Sequence, residues 1–148
     1  MLLVMFRSGG NLYAVDARRV VEVVPRVALR PVPHASIWML GLLSYRGRIV
    51  PMIDFGALTG APAARDVLST RAIVANSIGL DGAPALVGLV AEDVSRVKTV
   101  EEAKVLKPGP RRGAAPYLGA VLRLDEGLVQ LVDVDRLPFE DAAITESG

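Results

Sequence analysis

A chain of 148 residues lies within the usual size of one domain and is long enough to bury a hydrophobic core without disulfides or metals. Hydrophobic residues make up 51% and the mean hydropathy is +0.39, so either the core is large or some apolar surface serves partners. The 17 basic and 16 acidic residues, with 5% aromatics, give little electrostatic or stacking basis for nucleic-acid binding. The absence of cysteine excludes disulfides, thiolate metal sites and cysteine nucleophiles.

The single histidine, His34, argues against a multi-histidine metal site or a serine triad, and we interpret it as a loop residue because no motif supplies a catalytic partner. The N-terminal run MLLVMF is short for a signal peptide and has no basic region before it. No apolar run of the sequence approaches the roughly 18 residues of a membrane span. We therefore expect a cytoplasmic protein with no cofactor, no metal and no direct membrane insertion.

Short apolar runs separated by turn residues predict strands in the first part of the chain. Residues 2–6 and 12–15 flank a Ser-Gly-Gly-Asn turn, which is typical of a β-hairpin. The β-branched run at residues 20–24 predicts a third strand. The Ala- and Pro-rich residues 60–68 predict a loop and are the best candidate for a boundary in the chain.

The stretch GLLSYRGRIVPMIDFGAL, residues 41–58, contains two apolar runs on either side of a turn with Arg46 and Gly47. Ahead of it, residues 35–39 predict one helical turn with Ser36 as its N-cap. The second apolar run predicts a strand, and Pro51 within it indicates a sheet edge or a bulge.

The second half repeats this pattern of short strands and turns. A loose Pro-rich region at residues 107–116 contains Arg111 and Arg112, which we interpret as solvated charge. Strands are predicted at residues 72–75, 85–90, 118–124 and 128–132, the last two forming a hairpin. Many short strands with regular turn signals predict an all-β sandwich or a pair of barrels.

An internal repeat is visible in the sequence. The segment IVPMIDFGAL (residues 49–58) aligns without gaps on LVQLVDVDRL (residues 128–137), an offset of 79. A second match, at an offset of 74, aligns Val15, Val20 and Val23 with Leu89, Val94 and Val97. The two matches predict a duplicated unit, with lobe one at roughly 1–65 and lobe two at roughly 66–140, of about five strands each.

The repeat pairs Asp54 with Asp133, and two symmetry-related acids are what an aspartic protease uses. That enzyme needs a small hydroxyl residue and a glycine directly after each Asp, whereas Asp54 is followed by Phe55 and Asp133 by Val134. We therefore interpret both acids as N-caps of short helical turns, each worth about 1 kcal/mol. Nothing else in the sequence assembles into a catalytic site.

Several ordered motifs resemble the CheW family of coupling proteins in bacterial chemotaxis-type signalling. The first half contributes YAVDARRVVEV and PVPHASIWMLGLLSYRGRIVPMIDF, and the second half ALVGLVAEDVSRV and GLVQLVDVDRL. The resemblance covers residues 2–138. It implies a single CheW-like domain over residues 1–148, built as two intertwined five-stranded SH3-like barrels with short helical turns and strand exchange between the lobes.

The resemblance also implies a function without catalysis. A CheW-like protein is an adaptor of two-component signalling that bridges a CheA-type histidine kinase, through its regulatory domain, to the cytoplasmic tip of a methyl-accepting chemotaxis receptor. It is a cytoplasmic scaffold recruited to membrane-associated receptor arrays. In the family the receptor tip lies in an apolar groove between the barrels, and the kinase docks at the barrel ends.

The family motifs assign partner-binding roles to particular residues. Arg46 and Gly47 match the R-G turn that the family associates with receptor coupling. The residues that match the borders of the groove are Val20, Glu22, Val23, Val87, Gly88 and Leu89. This chain departs from the pattern at Ser44 and Tyr45, and at Glu92 and Asp93, where the family has Asp and Gly.

Three alternatives remain open at this point. The first is a CheW paralogue that serves another chemosensory pathway, such as twitching motility or biofilm control. The second is an aspartic-protease-like hydrolase that uses Asp54 and Asp133. The third is a nucleic-acid-binding barrel, which predicts salt-dependent binding of oligonucleotides.

Overall fold

The computed structural model describes residues 1–25, 27–79, 81–95, 97–99, 104–107 and 115–138. Arg111, Arg112 and the segment after Pro138 lie outside these ranges. The described ranges contain one short α-helix, α1 (Phe55–Thr59), and two 3-10 helices, Ala17–Arg19 and Val134–Arg136. They also contain the strands β1 (Leu2–Ser8), β2 (Asn11–Asp16), β3 (Val20–Pro25), β4 (Met39–Tyr45), β5 (Arg48–Asp54), β6 (Arg71–Ile78), β7 (Pro84–Ala91), β8 (Lys98–Thr99), β9 (Lys104–Lys107), β10 (Leu118–Leu124) and β11 (Gly127–Val132).

These strands form two sheets, which confirms the predicted all-β class with short helical turns. One sheet has the order β8-β1-β2-β11-β10-β9, and the other has the order β3-β6-β7-β5-β4. Each sheet takes strands from both halves of the sequence, because β1 and β2 join β10 and β11 while β6 and β7 join β3 to β5. The lobe boundary near residue 65 stays a prediction.

The central strands are buried on both faces, which explains the high hydrophobic content. In β1, Leu3 and Met5 point into a cluster inside the six-stranded sheet, while Val4 and Phe6 point into a cluster that both sheets share. This alternation follows from the two-residue period of a strand. The five-stranded sheet has its own inner cluster, formed by Val50, Met52, Ala72, Val74, Leu86 and Val90.

Aromatic side chains occupy the middle of the shared cluster. The Phe55 ring lies edge-on to the rings of Phe6, at 5.0 Å between centroids, and Tyr13, at 4.7 Å. Tyr117 approaches it from the second half of the chain at 6.2 Å. Such edge-to-face pairs add to the burial energy by about 0.5–1.5 kcal/mol each. Phe55 therefore ties the start of α1 to strands of the opposite sheet.

The structure extends the predicted repeat to thirteen residues upstream of its sequence match. The Asp54 N–H donates to the Trp38 carbonyl at 2.8 Å, and the Asp133 N–H donates to the Tyr117 carbonyl at 2.8 Å, so donor and acceptor both shift by 79. The turn hydrogen bond from Met39 to Ser36 likewise recurs from Leu118 to Ala115. The backbone hydrogen bonds thus repeat between the two copies even where the residue types differ.

The sequence offsets of 79 and 74 together relate two parallel ladders to each other. β5 pairs with β7 so that Met52 lies opposite Gly88, and β11 pairs with β2 so that Leu131 lies opposite Ala14. Met52 and Leu131 are 79 residues apart, and Ala14 and Gly88 are 74 apart. The same register in both ladders indicates that the second copy repeats the strand exchange of the first.

One local prediction was wrong, because residues 35–39 form a turn closed by the Met39 to Ser36 hydrogen bond and not a helical turn. Of the two alternatives for Pro51, the edge is excluded, because β5 lies between β7 and β4. The ladder between β4 and β5 does contain a register shift next to Pro51, where Met39 and Gly41 pair with Ile53 and Met52. Pro51 is tolerated there because the ladder to β7 begins only at Met52, so no partner carbonyl on that side requires a proline N–H.

The paired acids Asp54 and Asp133 both cap helices, as predicted. Asp54 is 2% exposed and accepts hydrogen bonds from the backbone N–H groups of Ala57 and Ala64. Asp133 accepts from the Asp135 N–H and contacts Arg136, with 41% of its side chain exposed. Both carboxylates are used as caps in separate sheets, so the protease alternative loses the acid pair that it needs.

This difference predicts unequal costs of substitution. We expect Asp54→Ala to lower the free energy of unfolding by about 2 kcal/mol and Asp133→Ala by about 1 kcal/mol, because Asp54 is buried and also anchors the Ala64 segment, whereas Asp133 is partly exposed and its contacts among the described residues are within its own turn. Urea unfolding followed by circular dichroism measures both. Equal losses would contradict the assignment of Ala64 to the Asp54 carboxylate.

Candidate partner-binding surface

The side chains of Glu22, Tyr45 and Arg46 form a cluster, hereafter the Glu22 cluster, that joins the two edges of the five-stranded sheet. Glu22 lies in β3 and Tyr45 ends β4, and these strands are the first and last of that sheet. The Tyr45 hydroxyl donates to Glu22 Oε1, and Arg46 Nη2 donates to the same oxygen at 3.2 Å. The sheet must therefore curl far enough for these side chains to bridge its two edge strands.

The cluster is polar and largely solvated. The Arg46 guanidinium lies 5.1 Å from the centroid of the Tyr45 ring, within range of a cation–π contact. The hydrogen bond to Glu22 raises the pKa of Tyr45. Because 74% of the Arg46 side chain and 43% of the Glu22 side chain are exposed, the ion pair contributes at most about 1 kcal/mol to stability. Its main effect is to fix where the guanidinium lies.

The turn at Arg46 and Gly47 has an unfavourable backbone for its sequence. Arg46 has φ +49° and Gly47 has φ +78°, the pattern of a two-residue hairpin turn in which Asn or Gly is preferred at the first position. Of the residues that the structure describes, only two other non-glycine residues, His34 and Asp93, have positive φ. The counterpart turn of the second copy, at residues 125–126, is built without a left-handed non-glycine residue. Arginine at position 46 therefore carries a backbone cost that asparagine or glycine would avoid.

β3 supplies the remaining predicted residues of this surface. Val20 is partly buried against the shared cluster, whereas Val23 is 37% exposed. Val21 beside them is 40% exposed, although the sequence analysis did not select it. β3 is also an edge strand, so aliphatic side chains and a strand edge are presented together.

Val87, Gly88 and Leu89 lie apart from this surface, in β7. Val87 is 0% exposed and Leu89 is 1% exposed, both within the shared cluster. A Cβ at Gly88 would lie 2.3 Å from Met52 Sδ, so this glycine gives Met52 its space. These residues can support a partner-binding surface from behind, but they offer no area for direct contact. Sequence alternation could not show this, because β7 is buried on both faces.

The structure adds residues that the motifs did not single out. Tyr45, noted only as a departure from the family pattern, connects Glu22 to the turn. Ile49 and Leu128 are 61% and 56% exposed, and they occupy equivalent positions directly after the hairpin turns of the two copies. The offset of 79 pairs them in the sequence, so the repeat contained the signal.

The bend at Glu92 and Asp93 has a left-handed residue, although the chain has no glycine there. Asp93 has φ +49°, the left-handed conformation in which the family has Gly. Glu92 accepts hydrogen bonds from the Arg65 backbone N–H at 2.9 Å and from its guanidinium, and these bonds lower the pKa of Glu92. The loop after α1 is thereby attached to the end of β7.

The described part of the chain contains no group of three or more potential metal ligands. Among the described helices, none is long and apolar enough to cross a membrane. His34 lies exposed in the turn before β4.

Comparisons with known proteins point to one family. The model of the CheW-like domain matches residues 2–140. The chain is 29% identical over 143 residues to the chemotaxis protein CheW of Rhizobium meliloti, covering 94% of this chain and 88% of that protein. It is also 29% identical over 118 residues to protein FrzA of Myxococcus xanthus, covering 78% and 71%. The crystal structure of the scaffolding protein TtCheW from Thermoanaerobacter tengcongensis has the same fold, with a TM-score of 0.77 at 22% identity over 90% of this chain and 89% of that one.

The packing of Gly88 against Met52 predicts that substitution of this glycine lowers stability. The equivalent pair of the other ladder, Ala14 and Leu131, suggests how to recover the loss. We expect Gly88→Ala to lower the free energy of unfolding by about 1–2 kcal/mol, since the new methyl group displaces Met52 within a closed core. Adding Met52→Leu should recover part of this loss, because the pair then matches Ala14 and Leu131. The control is Gly119→Ala, whose Cβ would only touch the Leu131 carbonyl at 3.4 Å. A loss at Gly119 as large as that at Gly88, in urea unfolding, would refute the explanation.

Proposed function

Because the chain belongs to the CheW-like domain family, we propose that it is a non-catalytic adaptor that couples methyl-accepting chemotaxis receptors to a CheA-type histidine kinase. It acts in the cytoplasm and is recruited to membrane-associated receptor arrays. The observation that supports this most directly is Arg46, an exposed cation held by Glu22 on a left-handed turn. A group fixed in this way is suited to read a partner and has no catalytic neighbour.

The receptor side of the proposal uses the Glu22 cluster and β3. Val20, Glu22, Val23, Arg46 and Gly47 form the surface against which the receptor tip docks, and the buried Val87, Gly88 and Leu89 hold β7 behind it. An amphipathic helix needs an aliphatic strip with a charged border. Val23 provides exposed aliphatic area on β3, and Glu22 of the same strand, with Arg46, provides both signs of charge.

The kinase side uses the barrel ends. Ile49 and Leu128 each expose more than half of a large aliphatic side chain beside a hairpin turn. Two equivalent apolar positions, one on each copy, suit a kinase regulatory domain that is itself CheW-like and docks barrel to barrel. Each end would cover one such residue, as the core of a protein interface does.

A second candidate function is a paralogous adaptor in another chemosensory pathway, such as twitching motility or biofilm control. The observation that favours it is the similarity to a relative named FrzA beside those named CheW. Both candidates share the adaptor mechanism and differ in the receptor. Identifying the histidine kinase captured by this chain in its native host distinguishes them.

The role of Arg46 is open to a direct test. We expect Arg46→Glu to lower kinase activation at least about tenfold in a reconstituted mixture of receptor, kinase and adaptor, because the charge at the receptor surface is reversed. The melting temperature should stay within about 2 °C of wild type, since the ion pair with Glu22 is solvent-exposed. Kinase autophosphorylation and a thermal scan provide the two readouts.

Two further variants control this experiment. Arg123→Glu makes the same charge change at an exposed position of β10 and should leave activation unchanged. Glu22→Arg combined with Arg46→Glu restores an ion pair with reversed polarity. Full recovery in that double variant would show that Arg46 only holds β3 to the turn, and would refute a direct role in receptor recognition.

A further inference from the structure

An ion pair attaches the start of β3 to the second half of the chain. Arg19 ends the 3-10 helix Ala17–Arg19, directly before β3, and Asp135 lies in the 3-10 helix Val134–Arg136 after β11. Arg19 Nη1 donates to Asp135 Oδ2 at 3.0 Å, and Arg19 Nη2 donates to Asp135 Oδ1. Two parallel hydrogen bonds of this kind fix the orientation of the guanidinium as well as its distance.

Asp135 also holds the strand that pairs with β3. The Ile78 N–H, at the end of β6, donates to Asp135 Oδ1 at 3.1 Å. The neighbouring Ser77 hydroxyl donates to the Val134 carbonyl at 3.0 Å, and the Val134 side chain is buried in the shared cluster. Because β6 pairs with β3, the Asp135 carboxylate connects Arg19 to β6 at the end of their ladder. The hydrogen bonds from Arg19 lower the pKa of Asp135, so this acceptor is ionised at neutral pH.

The part of β3 that follows this attachment is irregular. Its ladder with β6 shifts register between Val20 and Glu22, so Val21 is the extra residue of a β-bulge. Val20 packs against the shared cluster, whereas Val21, Glu22 and Val23 are exposed one after the other. A regular strand would alternate between its two faces. Since a bulge bends its strand, the direction of these three side chains depends on how the strand is held on either side.

Polar contacts hold β3 on both sides of the bulge. Before the bulge, Arg19 is bound by Asp135. After it, Glu22 accepts hydrogen bonds from Tyr45 and Arg46 in the Glu22 cluster. The first contact comes from the second half of the chain and the second contact comes from the opposite edge of the same sheet.

The duplicated frame does not need the first of these contacts. The counterpart of Arg19 at the offset of 74 is Asp93, and the counterpart of Asp135 at the offset of 79 is Gly56. Gly56 has no side chain to form an ion pair, and a Cβ there would lie 2.1 Å from the Pro62 carbonyl oxygen. The loop after α1 therefore takes the place that the Asp135 side chain has beside β3.

We propose that Arg19 and Asp135 are positioning residues for the receptor surface. Their ion pair fixes the start of β3, so that the bulged residues Val21, Glu22 and Val23 present one defined surface to the receptor tip. Neither residue of the pair has to touch the receptor, because both act through β3. This inference rests on the proposed coupling to a receptor and extends it to two residues that the sequence analysis did not select.

The neighbouring ion pair between Arg18 and Asp16 provides a matched control. It involves the same 3-10 helix, but Asp16 belongs to β2 and the pair makes no connection to the second half of the chain. The Arg18 side chain is 82% exposed, compared with 34% for Arg19. Arg18→Gln and Arg19→Gln thus make the same chemical change at adjacent residues and differ in which contact is lost.

Amide hydrogen exchange of the free protein tests the effect on β3. We expect Arg19→Gln and Asp135→Asn to accelerate exchange in β3 at least about fivefold more than in β4, because only β3 loses its attachment to the second half. Arg18→Gln should leave the ratio between the two strands as in wild type. Nuclear magnetic resonance of isotope-labelled protein resolves the individual amide groups.

Receptor affinity tests the consequence for binding. The probe is the soluble cytoplasmic hairpin of a methyl-accepting receptor from the native host, titrated with the full chain by calorimetry. We expect Arg19→Gln and Asp135→Asn each to raise the Kd about fivefold, and the double variant to be no weaker than the weaker single variant, because one contact is broken in all three. Arg18→Gln should bind as wild type does. Asp54→Ala, which lowers stability at the cap of α1, should also keep wild-type affinity, so reduced stability alone does not account for the loss.

The possible contrary results are distinct from one another. Equal exchange of β3 in Arg19→Gln and Arg18→Gln would overturn the positioning of this strand. Faster exchange with unchanged receptor affinity would overturn its importance for binding. Absence of binding by the wild-type chain would refute the proposed receptor coupling itself, and with it the receptor part of this inference, a result that differs from any ratio between variants.

Discussion

The fold depends on two parallel ladders that connect the halves of the chain. β2 pairs with β11 and β5 pairs with β7, and each ladder places a strand from one half beside a strand from the other. Every other ladder between the described strands is antiparallel. Since neither sheet is complete without both halves, the shared cluster around Phe55 forms only when both ladders are in register. Cooperativity between the two barrels follows from this exchange, and a partner that binds one sheet acts on a core that belongs to both.

The sequence predicted the parts of this architecture that depend on local pattern. Alternating apolar residues located β1 and β2, and the match of residues 49–58 to 128–137 placed Asp54 and Asp133 as equivalent caps before any coordinates. The upstream part of the repeat was missed because Trp38 and Tyr117 accept equivalent backbone hydrogen bonds but are different residue types. β9 was missed because its residues fall next to the Pro-rich region that reads as a loop.

The candidate surface was less predictable, for a physical reason. A linear pattern assigns residues to strands, but it does not show that Glu22 and Tyr45, at opposite edges of one sheet, come within hydrogen-bonding distance. It also cannot separate the valines of β3 from those of β7. Both runs are β-branched and apolar, yet Val23 is 37% exposed and Val87 is 0% exposed, because β3 is an edge strand and β7 is central.

Duplication gives a way to separate what the fold requires from what function adds. Features that recur in both copies, such as the bonds from Asp54 to Trp38 and from Asp133 to Tyr117, are those that the barrels need. Features present in one copy have to be explained otherwise, because the other copy shows that the fold forms without them. The left-handed Arg46 is such a feature, since the counterpart turn reaches the same hairpin with a glycine at position 127. Within the described residues, the 41% exposure of the Asp133 side chain is another, since Asp54 is 2% exposed beneath the Ala64 segment. The two copies thus place different side chains on equivalent frames at these positions, and the shared fold accounts for neither difference.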